Sequence, residues 1–467
     1  MQQPDTRTIL TITVLAAFLT PFMGSAVNIA LPAIGSEFKA NAIMLSWISI
    51  SYLLTSAMFL VPFGRLADIY GRKKIFLAGN ILFVLSSILS ALSNSISMLV
   101  LCRAFLGIGA AMIFCTSMAI ISSVIPNEKR GKALGINVAA TYTGLSAGPF
   151  IGGIMTNYLG WRSIFWINIP LGLLNIFLIL KNLKGYEWAE SKKEKFDKTG
   201  SAVYSVMFLT MMYGLSHISE ISGMISALVS FIILAAFIKY EEAVDAPILN
   251  IKLFKTNKVF AFSNFAALIH YSATFALTFL LSLYLQYVKG MSAHTAGAVL
   301  IAQPVMMAIF SPLAGKLSDR FEPRILASSG MALTAVGIFF FAFLTTETQI
   351  LSIIAALTIL GFGFAFFSSP NTNAVMCSVE KKFYGTAAGT LSTMRTIGQM
   401  LSMGLATLLI DLYIGKAQIT PTNYSQFMGA LQSGMFLFSG FCIAGIFLSI
   451  SRGKVGVTAH ASSALAK

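Results

Sequence analysis

The chain has 467 residues, of which 56% are hydrophobic and only 10% charged, with a mean hydropathy of +0.80. A soluble chain carries roughly a quarter charged residues, so a water-soluble fold is excluded. The net charge of +15 would suit a nucleic acid, but the placement of the basic residues points to a membrane instead.

Fourteen apolar runs follow one another, near 9–33, 43–63, 75–95, 98–125, 133–157, 162–180, 200–217, 222–239, 259–287, 293–313, 325–345, 349–376, 385–411 and 429–450. Runs of about 20 residues cross a bilayer as helices, because lipid offers the backbone no other hydrogen-bond partner. The seventh is the weakest, interrupted by Thr210, Tyr213 and Ser216. With the amino terminus inside, four basic residues fall in outer loops (Lys39, Arg162, Lys289, Lys416) and two within runs (Arg103, Arg395). The other 26 of the 32 lie on the inner side. This bias predicts a multi-pass protein of the cell membrane with both termini in the cytoplasm, its excess charge matched to anionic lipid headgroups. The first run is too long for a cleaved signal and lacks an A-x-A exit, so it is expected to remain as a helix. Cys102, Cys115, Cys377 and Cys442 sit in apolar runs without CxxC spacing, and His217, His270, His294 and His460 are scattered. Neither set spells a disulfide or a metal site.

The chain repeats itself. Gly64-Arg-Leu-Ala-Asp68-Ile-Tyr-Gly71-Arg72-Lys73-Lys74 returns, shortened, as Gly315-Lys-Leu-Ser-Asp319-Arg320, 251 residues on. Leu106-Gly107-Ile108-Gly109 aligns with Leu360-Gly361-Phe362-Gly363 at an offset of 254, which also carries Gly131, Gly135 and Gly144 onto Gly385, Gly389 and Gly398. Runs two to five thus correspond to ten to thirteen, leaving seven and eight as an insert. The expected organisation is a six-helix bundle over 1–180, a linker and inserted pair over 181–239, and a second six-helix bundle with a short tail over 240–467. Parallel repeats are a recurring plan of secondary transporters, with the substrate path between the halves near the midplane. The Lys/Glu-rich stretch 181–199 reads as a solvated linker, 239–258 rejoins the insert to the second half, and the tail after Arg452 reads as polar and loose.

Four motifs carry chemistry. In the 64–74 loop, Gly64 permits a tight helix end, Asp68 can meet a helix N-terminus or an Arg, and Arg72 to Lys74 hold the loop inside. In Leu101-Cys-Arg103-Ala-Phe-Leu-Gly107, a guanidinium at membrane depth is costly unless bonded or wet; Arg103 is either functional or snorkels outward. Gly144-Leu-Ser-Ala-Gly148-Pro149-Phe-Ile-Gly152-Gly153 lets backbones pack closely and bends its helix at Pro149, so it reads as a pliable hinge. Trp161-Arg162-Ser-Ile-Phe165-Trp166-Ile-Asn168-Ile-Pro170 reads as anchoring at the outer interface.

With these motifs in this order, the chain resembles the major facilitator superfamily, and within it the fourteen-helix drug/proton antiporters, over residues 10–450. The resemblance implies an all-α membrane fold of two six-helix bundles plus an inserted pair, fourteen helices in all. It implies that Gly64, Asp68, Gly71 and Arg72, with Gly315 and Asp319, form a cytoplasmic latch between the halves in the outward-open state. It implies a role for Arg103 in proton transfer or in bonding the first helix, and it associates the Gly144–Gly153 motif with exporters. The chain departs from the family in Leu106, where Gln is usual. It departs again in Met23, where the first-helix signature ending in Asn28 usually has an Asp.

No Asp or Glu falls in the middle of any run; Asp411, Glu220 and Glu347 lie at ends or in loops. The usual carboxylate for holding a proton and attracting cationic drugs is therefore missing from the sequence. The candidates left for the cavity or for coupling are Arg103 and Arg395, with the polar Asn28, Gln303, Asn371, Asn373 and Gln399. The 22 Met and 38 Phe suit either an adaptable pocket or ordinary packing. There is no phosphate loop and no H-E-x-x-H, so neither an enzyme nor a cofactor is expected, and an ion gradient (proton or sodium) or a substrate gradient must drive transport. The leading expectation is an exporter of amphipathic small molecules. The alternatives are a carrier of an anionic metabolite or organic acid and a membrane sensor that transports nothing.

Overall fold

The computed structural model describes residues 6–188, 196–244, 247–249, 251–318, 320–380, 384–415 and 417–453. Among these residues the chain is all helix. The first half comprises α1 (Thr6–Phe38), α2 (Ala42–Tyr70), α3 (Arg72–Ala91), α4 (Ile96–Val124), α5 (Asn127–Leu159), α6 (Ser163–Trp166) and α7 (Asn168–Asn182). The inserted stretch forms α8 (Lys198–Ser216) and α9 (Ile221–Ala243). The second half comprises α10 (Ile251–Thr256), α11 (Lys258–Leu283), α12 (Ala293–Leu300), α13 (Ala302–Ser318), α14 (Pro323–Phe341), α15 (Ile350–Cys377), α16 (Tyr384–Tyr413) and α17 (Tyr424–Ser451). A π-helical turn, Tyr284–Val288, extends α11.

Short polar residues start these helices. Asn41, Ser95, Asp197, Asn257 and Ser292 each accept a first-turn backbone N–H, satisfying a donor the helix itself cannot. Two expected runs are broken. The sixth divides into α6 and α7 four residues before Pro170, and the tenth into α12 and α13 four residues before Pro304. In each case the proline withholds the N–H that the carbonyl four residues back needs. Twelve helices among the described residues are long and apolar enough to cross a membrane, so this is a multi-pass membrane protein. The fifth and seventh expected runs are helices of 33 and 19 residues, α5 and α8. Their small and polar residues leave them outside that twelve.

The packing repeats as the glycines do. Gly107 of α4 sits against the Tyr52 carbonyl of α2, and Gly361 of α15 against the Gln303 carbonyl of α13; Tyr52 and Gln303 are 251 residues apart. Gly109 meets Gly79 and Phe83 of α3, and Gly363 meets Gly330 and Thr334 of α14, the same shift again. Glycine contacts of this kind let helices approach where dispersion is the main attraction. First-half helices meet second-half helices through α5 with α12 and α13 on one flank, and α2 with α16 on the other. The insert covers the second flank: α8 packs on both α2 and α16, with Gly404 against Met212 and Leu215. Its partner α9 turns Ile221, Leu228 and Phe231 outward, as a lipid-facing helix does.

Two expectations change. The 181–199 linker is not solvated throughout its described part, because Trp188 and Glu187 dock on the start of α3. Trp161 is not an interface residue: it is buried and donates to Glu37 at 2.7 Å. Arg162 forks onto the same carboxylate (2.9 and 2.7 Å) and reaches the Ser93 carbonyl (2.9 Å), so the Trp-Arg pair pins α6 to the ends of α1 and α3. Arg452, just before the expected tail, is fully buried and bonds Ser263, Asn371 and the Pro323 carbonyl; the tail beyond 453 lies outside the described residues.

Candidate functional site: a cavity between first-half and second-half helices

Two adjoining chambers lie between the first-half and second-half helices. Leu145, Tyr271, Phe275 and Gln399 line both. Tyr52, Phe114, Tyr142 and Arg395 belong to the first chamber, and Asn28, Gln303, Met307 and Phe364 to the second. Among the described residues no Asp or Glu lines either chamber, and the one formal charge is the Arg395 guanidinium, held over the rings of Phe114 (4.9 Å) and Tyr271 (5.9 Å). Such stacking steadies a cation without neutralising it, leaving a positive, aromatic, amide-bearing lining.

Of the expected cavity residues, the structure brings together Arg395, Gln399, Asn28 and Gln303. Asn28 accepts from Ser49 (2.7 Å), and its carbonyl accepts from Ser282 of α11 (2.9 Å). Asn371 and Asn373 lie elsewhere: Asn371 bridges Arg452 and the Ser263 carbonyl, and Asn373 bonds Ser318. Arg103 stands behind the lining. It is fully buried, so it does not snorkel; its Nε donates to the Ile48 carbonyl of α2 at 3.0 Å and its guanidinium lies 4.5 Å from the Tyr52 ring centre. Tyr52 in turn faces the first chamber and donates to the Thr20 carbonyl at 2.8 Å. Met23 is fully buried and accepts from Asn168 through its sulfur, so the thioether occupies a packed contact within the first half.

At the 64–74 loop, Asp68 accepts from Arg72 at 2.9 and 2.7 Å. Arg72 is itself buried and reaches Ser123 and the Ala119 carbonyl of α4 (3.3 Å). Gly71 has φ +118°, a left-handed conformation that glycine alone adopts freely. The start of α3 is capped from the linker: Arg72 N–H donates to the Trp188 carbonyl (2.8 Å) and Lys73 N–H to Glu187 (3.0 Å). At Gly64 and Gly315 an added Cβ would meet only ordinary contacts. Asp319 lies outside the described residues.

The Gly144–Gly153 motif divides its contacts. Gly144, Gly148 and Gly152 lie against α1 at Phe18, Ser25 and Ala26; Pro149 and Gly153 lie against Gly297 and Ala293 of α12. One helix thus touches its own half and the other half through successive faces. Away from the 64–74 loop the halves are tied further by Gln286 to the Ile29 carbonyl (2.9 Å) and Gln418 to the Lys39 carbonyl (2.5 Å).

Sequence reasoning missed the tyrosines. Tyr142 of α5 shares a hydrogen bond with Tyr271 of α11 (2.9 Å) and another with Ser368 of α15, joining the halves at the cavity. No spacing signal marks a lone Tyr in an apolar run, and only the fold brings these three together.

An all-helical membrane fold with a central cavity between repeating halves is the architecture of a membrane transporter. The Major Facilitator Superfamily profile matches residues 13–403 and, overlapping, 263–462, and the chain belongs to that family. It is similar to the riboflavin transporter RibZ of Clostridioides difficile, 30% identical over 95% of this chain and 96% of that protein. It is similar to the multidrug resistance protein Stp of Mycobacterium tuberculosis, 30% identical over 81% of this chain and 71% of the other. It is also similar to the cephamycin export protein CmcT of Amycolatopsis lactamdurans, 28% identical over 86% and 84%. The chain is thus a transporter, embedded in a membrane and acting on a small molecule.

Proposed function

We propose that this chain is a secondary active exporter of amphipathic small molecules, working by alternating access. The observation that carries the reading is the aromatic, amide-bearing cavity between the halves, whose only charge is Arg395. Ring faces and a few amides suit flat, partly apolar molecules, and relatives named for drug resistance, cephamycin export and riboflavin transport fit that class. In this reading residues 1–180 and 240–467 are two six-helix bundles, 181–239 carries the inserted pair, and both termini lie in the cytoplasm. All fourteen helices cross the cell membrane; α8, at about 28 Å, is long enough to do so. The ties made by Gln286 and Gln418 then close the outer face, and Asp68 with Arg72 sets the inner gate. Alternation proceeds as the halves rock about the α5–α12 contact.

A second reading, a carrier of anionic metabolites, is favoured by the same Arg395 in a cavity without a carboxylate. The test is flux in proteoliposomes for anionic, neutral and cationic aromatic probes, with pH and sodium gradients imposed separately. Arg395→Ala is expected to lower anion flux at least about tenfold, a loss of about 1.4 kcal/mol of binding, while sparing neutral probes. Equal wild-type flux of anions and cations would sink the anion reading. No flux of any probe, with binding of a protein partner instead, would favour a sensor.

A further inference from the structure

His270 of α11 is fully buried, and neither ring nitrogen has a hydrogen-bond partner. Buried polar atoms are nearly always paired, and an exception calls for an explanation. The ring is boxed by aromatics: Phe367 stacks on it at 4.0 Å, Phe364 meets it edge-on at 4.8 Å, and Tyr271 stands at 5.8 Å. Two of these three, Phe364 and Tyr271, are also cavity wall. His270 is therefore separated from the substrate path by one layer of rings. That layer is fastened by Tyr142, which reaches from α5 to Tyr271 and to Ser368, one residue beyond Phe367. The fastening joins first half to second half, so rocking the halves apart at this level unfastens it.

The groups facing the site are few. From α16, Arg395 stands over Tyr271; from α5 comes Tyr142; from α17, Arg452 bonds Ser263, two turns before His270. From α15 come Phe364 and Phe367. None of these neighbours is a carboxylate, and histidine is the side chain whose ordinary charge change falls near neutral pH. A protonated ring would have no acceptor in this packing and would carry the penalty of an unpaired buried charge.

Building on the export reading above, we infer that His270 is the proton-carrying group of this transporter. When the Tyr142–Tyr271 seam parts, water reaches the ring and a hydronium ion delivers a proton to its free nitrogen. When a flat substrate arrives from the other side to stack on Tyr271 and Phe364, the imidazolium gives its proton to water on that side before the seam closes on the neutral ring. Proton and substrate then exclude one another, which is the reciprocal coupling an antiporter needs.

The direct test is NMR of His-labelled protein in nanodiscs, with His270→Gln identifying the His270 signal. That signal is expected to titrate between about pH 5 and 8 in free protein, and to stop titrating when Lys39→Cys and Gln418→Cys are oxidised to lock the outer face. The same behaviour in both states would overturn the inference. In proteoliposomes loaded with riboflavin as probe, His270→Gln is expected to lose at least about tenfold of pH-gradient-driven flux while keeping counterflow within about threefold of wild type. Undiminished gradient-driven flux in that variant would overturn the inference, as would wild-type flux indifferent to the gradient. A wild type that moves no probe would count against the export reading alone, and the titration would still decide His270.

Discussion

Four arginines show what burial demands of a guanidinium. Arg72 and Arg452 are held by carboxylate, hydroxyl, amide and carbonyl oxygens, although the Arg452 Nε is left without one. Arg103 has one carbonyl and a ring, and Arg395 has two rings and the cavity. Arg395 alone of the four lines the cavity. Asp68 holds Arg72 in a half-closed clamp, so Asp68→Asn strips the charge from a largely buried cation's partner. Loss of a charged hydrogen bond there is worth about 1.5–3 kcal/mol, less what solvent at the partly exposed Asp68 returns. The expected outcome is protein that inserts in normal amount but whose vesicle flux falls at least about tenfold. Full flux in that variant would refute the gate reading.

At the scale of elements, α5 is the helix that cannot be thickened. A methyl at position 148 would collide with Ser25 and the Ala26 backbone, and one at 297 with the Pro149 carbonyl, whereas one at 389 meets nothing within 4 Å. Backbone atoms cannot step aside, so Gly148→Ala must push α1 from α5 at an overpacking cost of about 1–3 kcal/mol. Gly148→Ala and Gly297→Ala are each expected to lower the thermal midpoint and transport together. Gly389→Ala should leave both unchanged. Thermal melts in detergent beside flux measurements distinguish these outcomes, and a silent Gly148→Ala would refute the close-packing account. Repetition of a glycine in sequence is thus not enough: Gly144 and Gly398 are contact points, Gly135 and Gly389 are open.

For the molecule as a whole, the alternating-access reading requires the Gln286 and Gln418 ties to break. Gln418 lies against the Lys39 backbone, so cysteines at both positions, in a Cys377→Ser background to remove the exposed thiol, should cross-link under mild oxidation. Transport is expected to stop on oxidation and return on reduction. Flux unaffected by a complete cross-link would show that this face does not open during transport.

The apolar runs, the basic-residue bias, the doubled loop and the aligned glycines were enough to read a helical membrane transporter of this family from the chain alone. Each is a local or periodic property: run length answers to bilayer thickness, and a repeated glycine answers to a repeated backbone approach. The absence of a cavity carboxylate was likewise legible, because an acid missing from every run cannot be restored by folding. What tertiary structure decided is where side chains of distant helices converge. Arg103 and Asn371, equal in sequence to Arg395 and Gln399 as polar residues in apolar runs, are diverted to Tyr52 and Arg452. Tyr142, Tyr271 and Ser368, which sequence left unremarked, meet across the halves. Helix rotation and crossing fix those outcomes, through contacts between residues up to 226 positions apart, and no local pattern encodes them.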